Sequence, residues 1–289
     1  MRRSIGKNPK RALSAVLIFA FFGMAMDGQT TPTLVQHVAT GMDRYPVTNL
    51  RIPLPNPAGS GNAIILGIQF HNSGSVSSVA DDKSNTWVAG PTVTNSNSSQ
   101  RMSLYYALNV KGGTQSITVT FSGLGSTNGY PQAVASEFYN VAQVSAADGS
   151  GASATSRTAG SITTTKAGDL IYHWGIDFSD TNVNGGGYNG RSITPGSGFT
   201  LLSADLQVGS ADQYQIQSNA GSINSTFAAT GSATWGSLAL ALKSANGGTP
   251  PPPGIRIVHI QHTLLNSVRA QGRPNPVVLQ FPSSGNLLV

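Results

Sequence analysis

The chain has 289 residues, of which 10% are charged and 34 are glycine. So low a charged fraction excludes a coiled coil and a charge-rich disordered chain, while 39% apolar residues suffice for a hydrophobic core at this length. The net charge of +6 comes from the two ends, because residues 31–245 carry nine basic and ten acidic side chains, and without clustered Lys and Arg no nucleic-acid partner is expected.

A signal peptide is predicted at residues 1–28. Basic residues from Arg2 to Arg11 precede an apolar run from Ala12 to Met26, and small residues follow, which is the order found in secretory signals. The apolar run of about 15 residues is shorter than the roughly 20 that span a membrane. We therefore expect a secreted or cell-surface protein with no membrane span after signal removal. The lack of cysteine favours a bacterial source and a large core, because exported eukaryotic domains usually carry disulfides.

Residues 31–245 contain a series of short segments whose hydrophobicity alternates with the period of two that is typical of β-strands. Apolar residues alternate with others in segments such as Ile64–Phe70, Met102–Leu108 and Ile117–Phe121, and Gly, Asn, Ser and Pro separate the segments. No window has the period of a helix. Nine or more such strands predict an all-β fold, a two-sheet antiparallel β-sandwich of jelly-roll type.

One candidate site is the turn at residues 81–85. Asp81, Asp82 and Asn85 offer the hard oxygen ligands that calcium prefers. Lys83 lies between them, and in a plain hairpin turn the same side chains hydrogen-bond to their own backbone. A structural calcium ion and a plain turn are both open interpretations, and no other cofactor is expected.

A second candidate site is the strand face opposite the predicted core. If the alternating apolar residues face the core, the opposite face carries Gln69, His71, Tyr105, Asn109, Glu137, Tyr139, His173 and Asp177. Aromatic rings beside hydrogen-bonding groups bind sugars, so an extracellular glycan or cell-surface polymer is the expected partner. Alternatively, Tyr105 and Tyr139 form a cross-strand pair that only stabilises the sheet.

Motifs for catalysis are largely missing from the sequence. There is no Gly-x-Ser-x-Gly elbow, no cysteine, and a single glutamate, Glu137. A glycosidase of the retaining type needs two carboxyl groups about 5 Å apart, so Glu137 would have to pair with Asp177 on a neighbouring strand. We expect a protein without catalytic activity, and a jelly-roll glycoside hydrolase is the less favoured alternative.

Five short segments carry a resemblance to a known module. They are Val79–Trp87 (VADDKSNTW), Leu104–Gly113 (LYYALNVKGG), Glu137–Val141 (EFYNV), Ala167–Ile171 (AGDLI) and Ala239–Lys243 (ALALK). Together they resemble a tandem repeat module of secreted and cell-surface proteins of soil bacteria, which is similar to concanavalin-like and laminin-G-like jelly rolls. The resemblance covers roughly residues 33–245. It implies architecture, secretion and tandem arrangement, and says little about the ligand.

A domain boundary is predicted at residues 246–254, a Gly- and Pro-rich linker. Beyond it, Ile260–His262 corresponds to Val35–His37, and Ser284–Val289 corresponds to Ser60–Ile65 in the same order. Residues 255–289 are therefore interpreted as the start of a truncated second repeat, with chance similarity as the alternative. A neighbouring repeat of the same chain is then a further expected partner.

These features favour a secreted, non-catalytic β-sandwich at residues 31–245 that binds extracellular glycan or acts in adhesion. The alternative is a purely structural surface repeat whose faces meet other domains.

Overall fold

The structure, a computed structural model, describes residues 30–40, 47–71, 73–95, 99–124, 129, 131–178, 192–205, 209–230 and 234–245. The predicted signal peptide, the linker at 246–254 and the predicted second repeat at 255–289 lie outside these ranges. Within the ranges, no helix is long and apolar enough to cross a membrane.

The described residues form β-strands and no helix, which confirms the all-β prediction. The strands are β1 (Thr33–Ala39), β2 (Asn49–Pro53), β3 (Ala63–His71), β4 (Ser75–Asp81), β5 (Trp87–Asn95), β6 (Gln100–Ala107), β7 (Ser116–Ser122), β8 (Gln132–Tyr139), β9 (Ala147–Ser153), β10 (Thr158–Thr164), β11 (Leu170–Asp177), β12 (Ile193–Thr194), β13 (Thr200–Asp205), β14 (Ser210–Ile216), β15 (Gly221–Thr226), β16 (Ala228–Ala229) and β17 (Trp235–Leu242). Apolar residues of period two, bounded by turn residues, produce this pattern.

Two five-stranded antiparallel sheets pack face to face. The first sheet has the order β1-β8-β3-β6-β5, and the second sheet has the order β9-β17-β11-β14-β13. A three-stranded sheet, β2-β7-β4, covers the outer face of the first sheet, and the pairs β10-β15 and β12-β16 cover the outer face of the second. The predicted antiparallel β-sandwich is confirmed, and the small sheets add outer layers to it.

Apolar side chains fill the space between every pair of layers. The central core, between the two large sheets, contains Phe138 and Trp174. An outer core under β2-β7-β4 contains Leu66 and Ile117, and Ile171 packs under β10-β15. Because β11 and β17 have a packed layer on both faces, they are buried along their whole length. Strands in this position have nearly continuous apolar sequences.

The same strand order occurs twice in the described body. The order of the first sheet is β1-β8-β3-β6-β5, and that of the second is β9-β17-β11-β14-β13. In both sheets, when the five strands are numbered along the chain, the order is first, fifth, second, fourth, third. The outer pair β2-β7 corresponds in the same way to β10-β15. The first half, residues 33–139, and the second half, residues 147–242, therefore share one topology.

Pairing within the first half is nested. Strand β1 pairs with β8, β2 with β7 and β3 with β6. An eight-stranded jelly roll nests a fourth pair inside these three, but here β5 pairs with β6, and β4 pairs with β7. The jelly-roll type remains a prediction.

Candidate functional site

The eight residues of the predicted sugar-binding face do not share an exposed face. Gln69, Glu137, His173 and Asp177 are buried, each with at most 2% of its surface exposed. Gln69 pairs with Met102 of the central core and lies on the same face of the first sheet. Glu137, His173 and Asp177 lie on the opposite faces, which are interior wherever an outer layer covers them. The prediction of one exposed face is wrong for these four residues.

The other four predicted residues keep some contact with solvent. His71, Tyr105 and Tyr139 are half-buried, and Asn109 is exposed. Tyr105 lies on β6 and Tyr139 on β8, and β3 separates the two strands. The alternative prediction of a Tyr105–Tyr139 cross-strand pair is therefore also wrong.

Glu137 fixes a loop of the first half. Its Oε1 accepts hydrogen bonds from the backbone N–H of Gly59, at 2.8 Å, and from the side-chain amide of Asn62, and its Oε2 accepts one from Gln36. Asp177 lies on β11 of the second sheet, whereas Glu137 lies on β8 of the first. The carboxylate pair that a hydrolase would require is not formed, so that interpretation of Glu137 and Asp177 is wrong.

His173 is an uncharged core residue. Its Nδ1 lies 2.9 Å from Nε2 of Gln213, and its ring packs on Phe227 with the centroids 4.4 Å apart. Burial lowers the pKa of His173 to about 3. The neutral ring contributes packing to the second half.

A buried group with the composition of a catalytic triad connects the two large sheets. Nδ1 of His37 lies 3.0 Å from Oγ of Ser136 and 3.5 Å from Oδ2 of Asp212. Asp212 also accepts hydrogen bonds from Tyr172 and Ser203. A working triad uses opposite nitrogens of the histidine ring for its serine and its carboxylate, but here both contacts involve Nδ1. Ser136 is fully buried, and the group ties the sheets together.

The acidic turn at residues 81–85 is closed by donors of the protein itself. Oδ1 of Asp81 accepts from the backbone N–H groups of Lys83 and Asn85, and Oδ2 accepts from Nε1 of Trp87 at 2.8 Å. Asp82 accepts from the backbone N–H groups of two residues of the facing loop, Gln115 and Ser116.

The ammonium group of Lys111 binds the same turn, at a position that a metal cation would otherwise take. Nζ of Lys111 donates to the carbonyl oxygens of Lys83 and Ser84, both at 3.0 Å, and the side chain of Asn85 bonds to Lys111 N and to Thr114. In the described part of the chain, no group of three or more His, Cys, Asp or Glu could hold a metal ion. These contacts support the plain-turn interpretation of Asp81, Asp82 and Asn85.

We predict that calcium does not stabilise the protein through this turn. The melting temperature should be the same in calcium chloride and in EDTA, whereas Asp81→Ala should lower the free energy of unfolding by about 1–3 kcal/mol, because three donors lose their acceptor. Thermal unfolding of both proteins in both solutions checks this. A calcium-dependent stabilisation of the wild type that Asp81→Ala abolishes would contradict it.

A surface groove opens where the edge strands β5 and β9 lie over the central core. Its volume is about 360 Å³. The lining residues are Ala89, Gly90, Pro91, Tyr106, Ala147, Gly149, Ser150 and Leu240. Tyr106 and Leu240 are buried core residues and form the floor, and small residues form both walls.

Irregular pairing in both edge strands coincides with the groove. The pairing of β5 with β6 shifts register between Ala89 and Thr92, and that of β9 with β17 shifts between Ala241 and Leu242. Such bulges bend an edge strand and often lie next to binding sites. The groove could not be found from the sequence, because its walls come from different halves of the chain and contain no recognisable motif. Comparison with known protein families, curated proteins and solved structures finds no match.

Proposed function

We propose that the protein is a secreted, non-catalytic module that binds extracellular glycan in the groove between β5 and β9. The groove is the observation that supports this proposal. Its volume of about 360 Å³ lies within the range of small-ligand pockets, about 300–1,000 Å³.

The chemistry of the lining favours a neutral sugar chain. Tyr106, Leu240 and Pro91 offer apolar surface to the C–H face of a sugar ring. The small side chains of the walls leave the peptide groups of the two edge strands accessible, and edge strands carry unpaired N–H and C=O groups that can bond to hydroxyls. The lining contains no charged side chain, which argues against an acidic polymer.

The same lining supports binding without catalysis. It offers no carboxylate or imidazole for acid–base chemistry. The acidic side chains Glu137, Asp177 and Asp212 are buried and lie outside the groove lining.

Filling the groove should abolish glycan binding without loss of stability. Ser150 is exposed on β9 and pairs with Leu240 of the floor, so its side chain shares a sheet face with that leucine. We expect Ser150→Trp to weaken retention on a neutral-glycan array at least tenfold. The matched control is Ser77→Trp, which places the same ring at an exposed position of another edge strand, β4.

Four results would separate the possibilities. Loss of binding in Ser150→Trp alone, at unchanged melting temperature, supports the groove. Equal binding by both variants would place the glycan elsewhere on the surface. An absence of binding by the wild type would remove the glycan proposal and favour the structural surface repeat, whereas release of reducing sugar would identify a hydrolase.

A further inference from the structure

Three ionisable side chains meet at one end of the second sheet. Asp148 lies on β9, Lys243 directly follows β17, and Asp169 directly precedes β11. Strand β17 lies between β9 and β11, so the lysine is flanked by a carboxyl group on each side. Nζ of Lys243 lies 3.3 Å from Oδ1 of Asp148.

The local backbone places both carboxyl groups beside the lysine. In the β9–β17 ladder Ala147 pairs with Leu242 and Gly149 with Ala241, which makes Asp148 the extra residue of a bulge. A bulge redirects the side chain that it carries. On the other side Leu170 pairs with Leu242, which brings the preceding Asp169 level with Lys243.

Asp169 is a fully buried acid. Its polar neighbours are the carboxylate of Asp148, the ammonium of Lys243 and the backbone N–H of Ser244. Burial, together with the neighbouring Asp148, raises the pKa of Asp169 to about 7. It therefore keeps a proton near neutral pH and points it at the carboxylate of Asp148.

Asp148 is held as a carboxylate by several donors. Although its own burial opposes this, hydrogen bonds from Thr165, Asp169 and Lys243 lower the pKa of Asp148. The backbone N–H of Thr165 donates to Oδ2 at 2.5 Å, and its hydroxyl lies 2.7 Å from Oδ1. The carboxylate is thereby fixed against the lysine ammonium, and its side chain is only 5% exposed.

We propose that Lys243 and Asp148 form an intramolecular isopeptide bond, an amide between Nζ of the lysine and Cγ of the aspartate. A partly exposed amine, a buried carboxyl group and a second, protonated acid in contact provide the components for such a condensation. Holding the reacting groups in contact replaces an encounter in solution and removes the entropic part of the barrier.

The condensation balances with the groups present. Asp169 first gives its proton to Oδ1 of Asp148 and takes one from the Lys243 ammonium, which leaves a neutral amine facing a neutral carboxyl group. Nζ then attacks Cγ of Asp148, a second proton passes from Nζ to Oδ1, and the Cγ–Oδ1 bond breaks to release water. The N–H of Thr165 stabilises the charge that develops on Oδ2. Asp169 is the catalytic acid and base of this single event and ends as it began.

Mass spectrometry of the purified full chain tests the bond. We expect the measured mass of the wild type to be lower than the mass calculated from its sequence by one water molecule. The mass of Lys243→Arg should equal the calculated value. Asp148 precedes Gly149, and a cyclic imide at Asp148 would cause the same mass loss without the lysine. A deficit that persists in Lys243→Arg would therefore overturn the proposal, as would a wild type of full mass.

Tryptic digestion locates the bond. A lysine in an amide is not cleaved, so residues 112–157 should be recovered joined to residues 192–256, whereas free chains give 112–157 and 192–243. Asp169→Asn keeps the shape of the acid but cannot relay its proton, and we expect it to leave most chains unlinked. Lys166→Arg, a change of the other nearby lysine, should leave the link intact. A link to residues 167–191 would place the bond on Asp169 and overturn the assigned roles.

Discussion

Between pH 6.5 and pH 3 the contribution of His173 to the free energy of unfolding should fall by about 1.4 kcal/mol per pH unit, whereas buried Asp169, whose pKa is raised to about 7, contributes in the opposite direction. The folded protein keeps this buried ring neutral down to its pKa of about 3, whereas the unfolded chain takes up a proton below the ordinary value of 6.5. At His173 the unfolded state thus binds more protons throughout this window, and the contribution of this residue to the free energy of unfolding falls as the pH falls. Above pH 6.5 both states are neutral at this residue and the effect disappears.

Substitution of His173 should remove this contribution, so that the free energy of unfolding of the variant rises relative to that of the wild type as the pH falls from 7 to 4. In His173→Phe a ring of similar size remains against Phe227, and Nε2 of Gln213 still donates to the carbonyl of Thr226. Urea unfolding at pH 7, 6, 5 and 4 measures the slope in each protein. The control is His71→Phe, at a half-buried histidine that bonds to Ser73, and it should keep the wild-type profile. Equal pH profiles of the wild type and His173→Phe would contradict the contribution assigned to His173.

A methyl group at Gly67 should destabilise the central core. A Cβ atom there would lie 2.6 Å from Cε3 of Trp174, on the facing sheet, and 2.9 Å from Cγ2 of Val134. Both side chains are fully packed, so the sheets must separate or Trp174 must leave its rotamer. Such overpacking costs about 1–3 kcal/mol, and we expect Gly67→Ala to lower the free energy of unfolding by at least that amount.

A double-mutant cycle shows whether the clash is with the indole. Trp174→Leu alone should destabilise by about 2–4 kcal/mol through the cavity it creates, but in the Gly67→Ala background it should cost clearly less, because it also relieves the clash. Gly112→Ala, at an exposed glycine whose nearest neighbour would be Cβ of Ser60 at 3.3 Å, should cost under about 1 kcal/mol. Additive effects in the cycle would mean that the Trp174 ring does not limit the approach of the sheets.

The strands were predictable because period two and turn residues are local signals. Ile64–Phe70 and Ile117–Phe121 fall within β3 and β7. The burial of both faces was less visible, although the nearly unbroken apolar run of β3 indicates it. The prediction of an exposed polar face assumed that only alternate residues face a core. Strand β3 has a packed layer on each side, and Gln69 therefore lies inside.

The features that could not be predicted depend on contacts between residues that are distant in sequence. Glu137 is satisfied by Gln36, Gly59 and Asn62, which no spacing rule connects to it. The turn at Asp81 was readable as a plain hairpin, but the ammonium of Lys111 that closes it comes from another loop. The groove depends on two edge strands from different halves, whose alanine, glycine and serine residues carry no chemical signature of their own.

The shared strand order of the two halves bears on how the chain assembles. Every ladder of the described residues pairs strands of one half, and the halves meet mainly through side chains of the central core. This is the relation between two subunits of a dimer, here joined covalently through residues 140–146, which keep the partners at high effective concentration. The first half forms all its ladders without the second. Met102, Leu104 and Tyr106 are therefore an exposed apolar surface until the second half folds and docks on them.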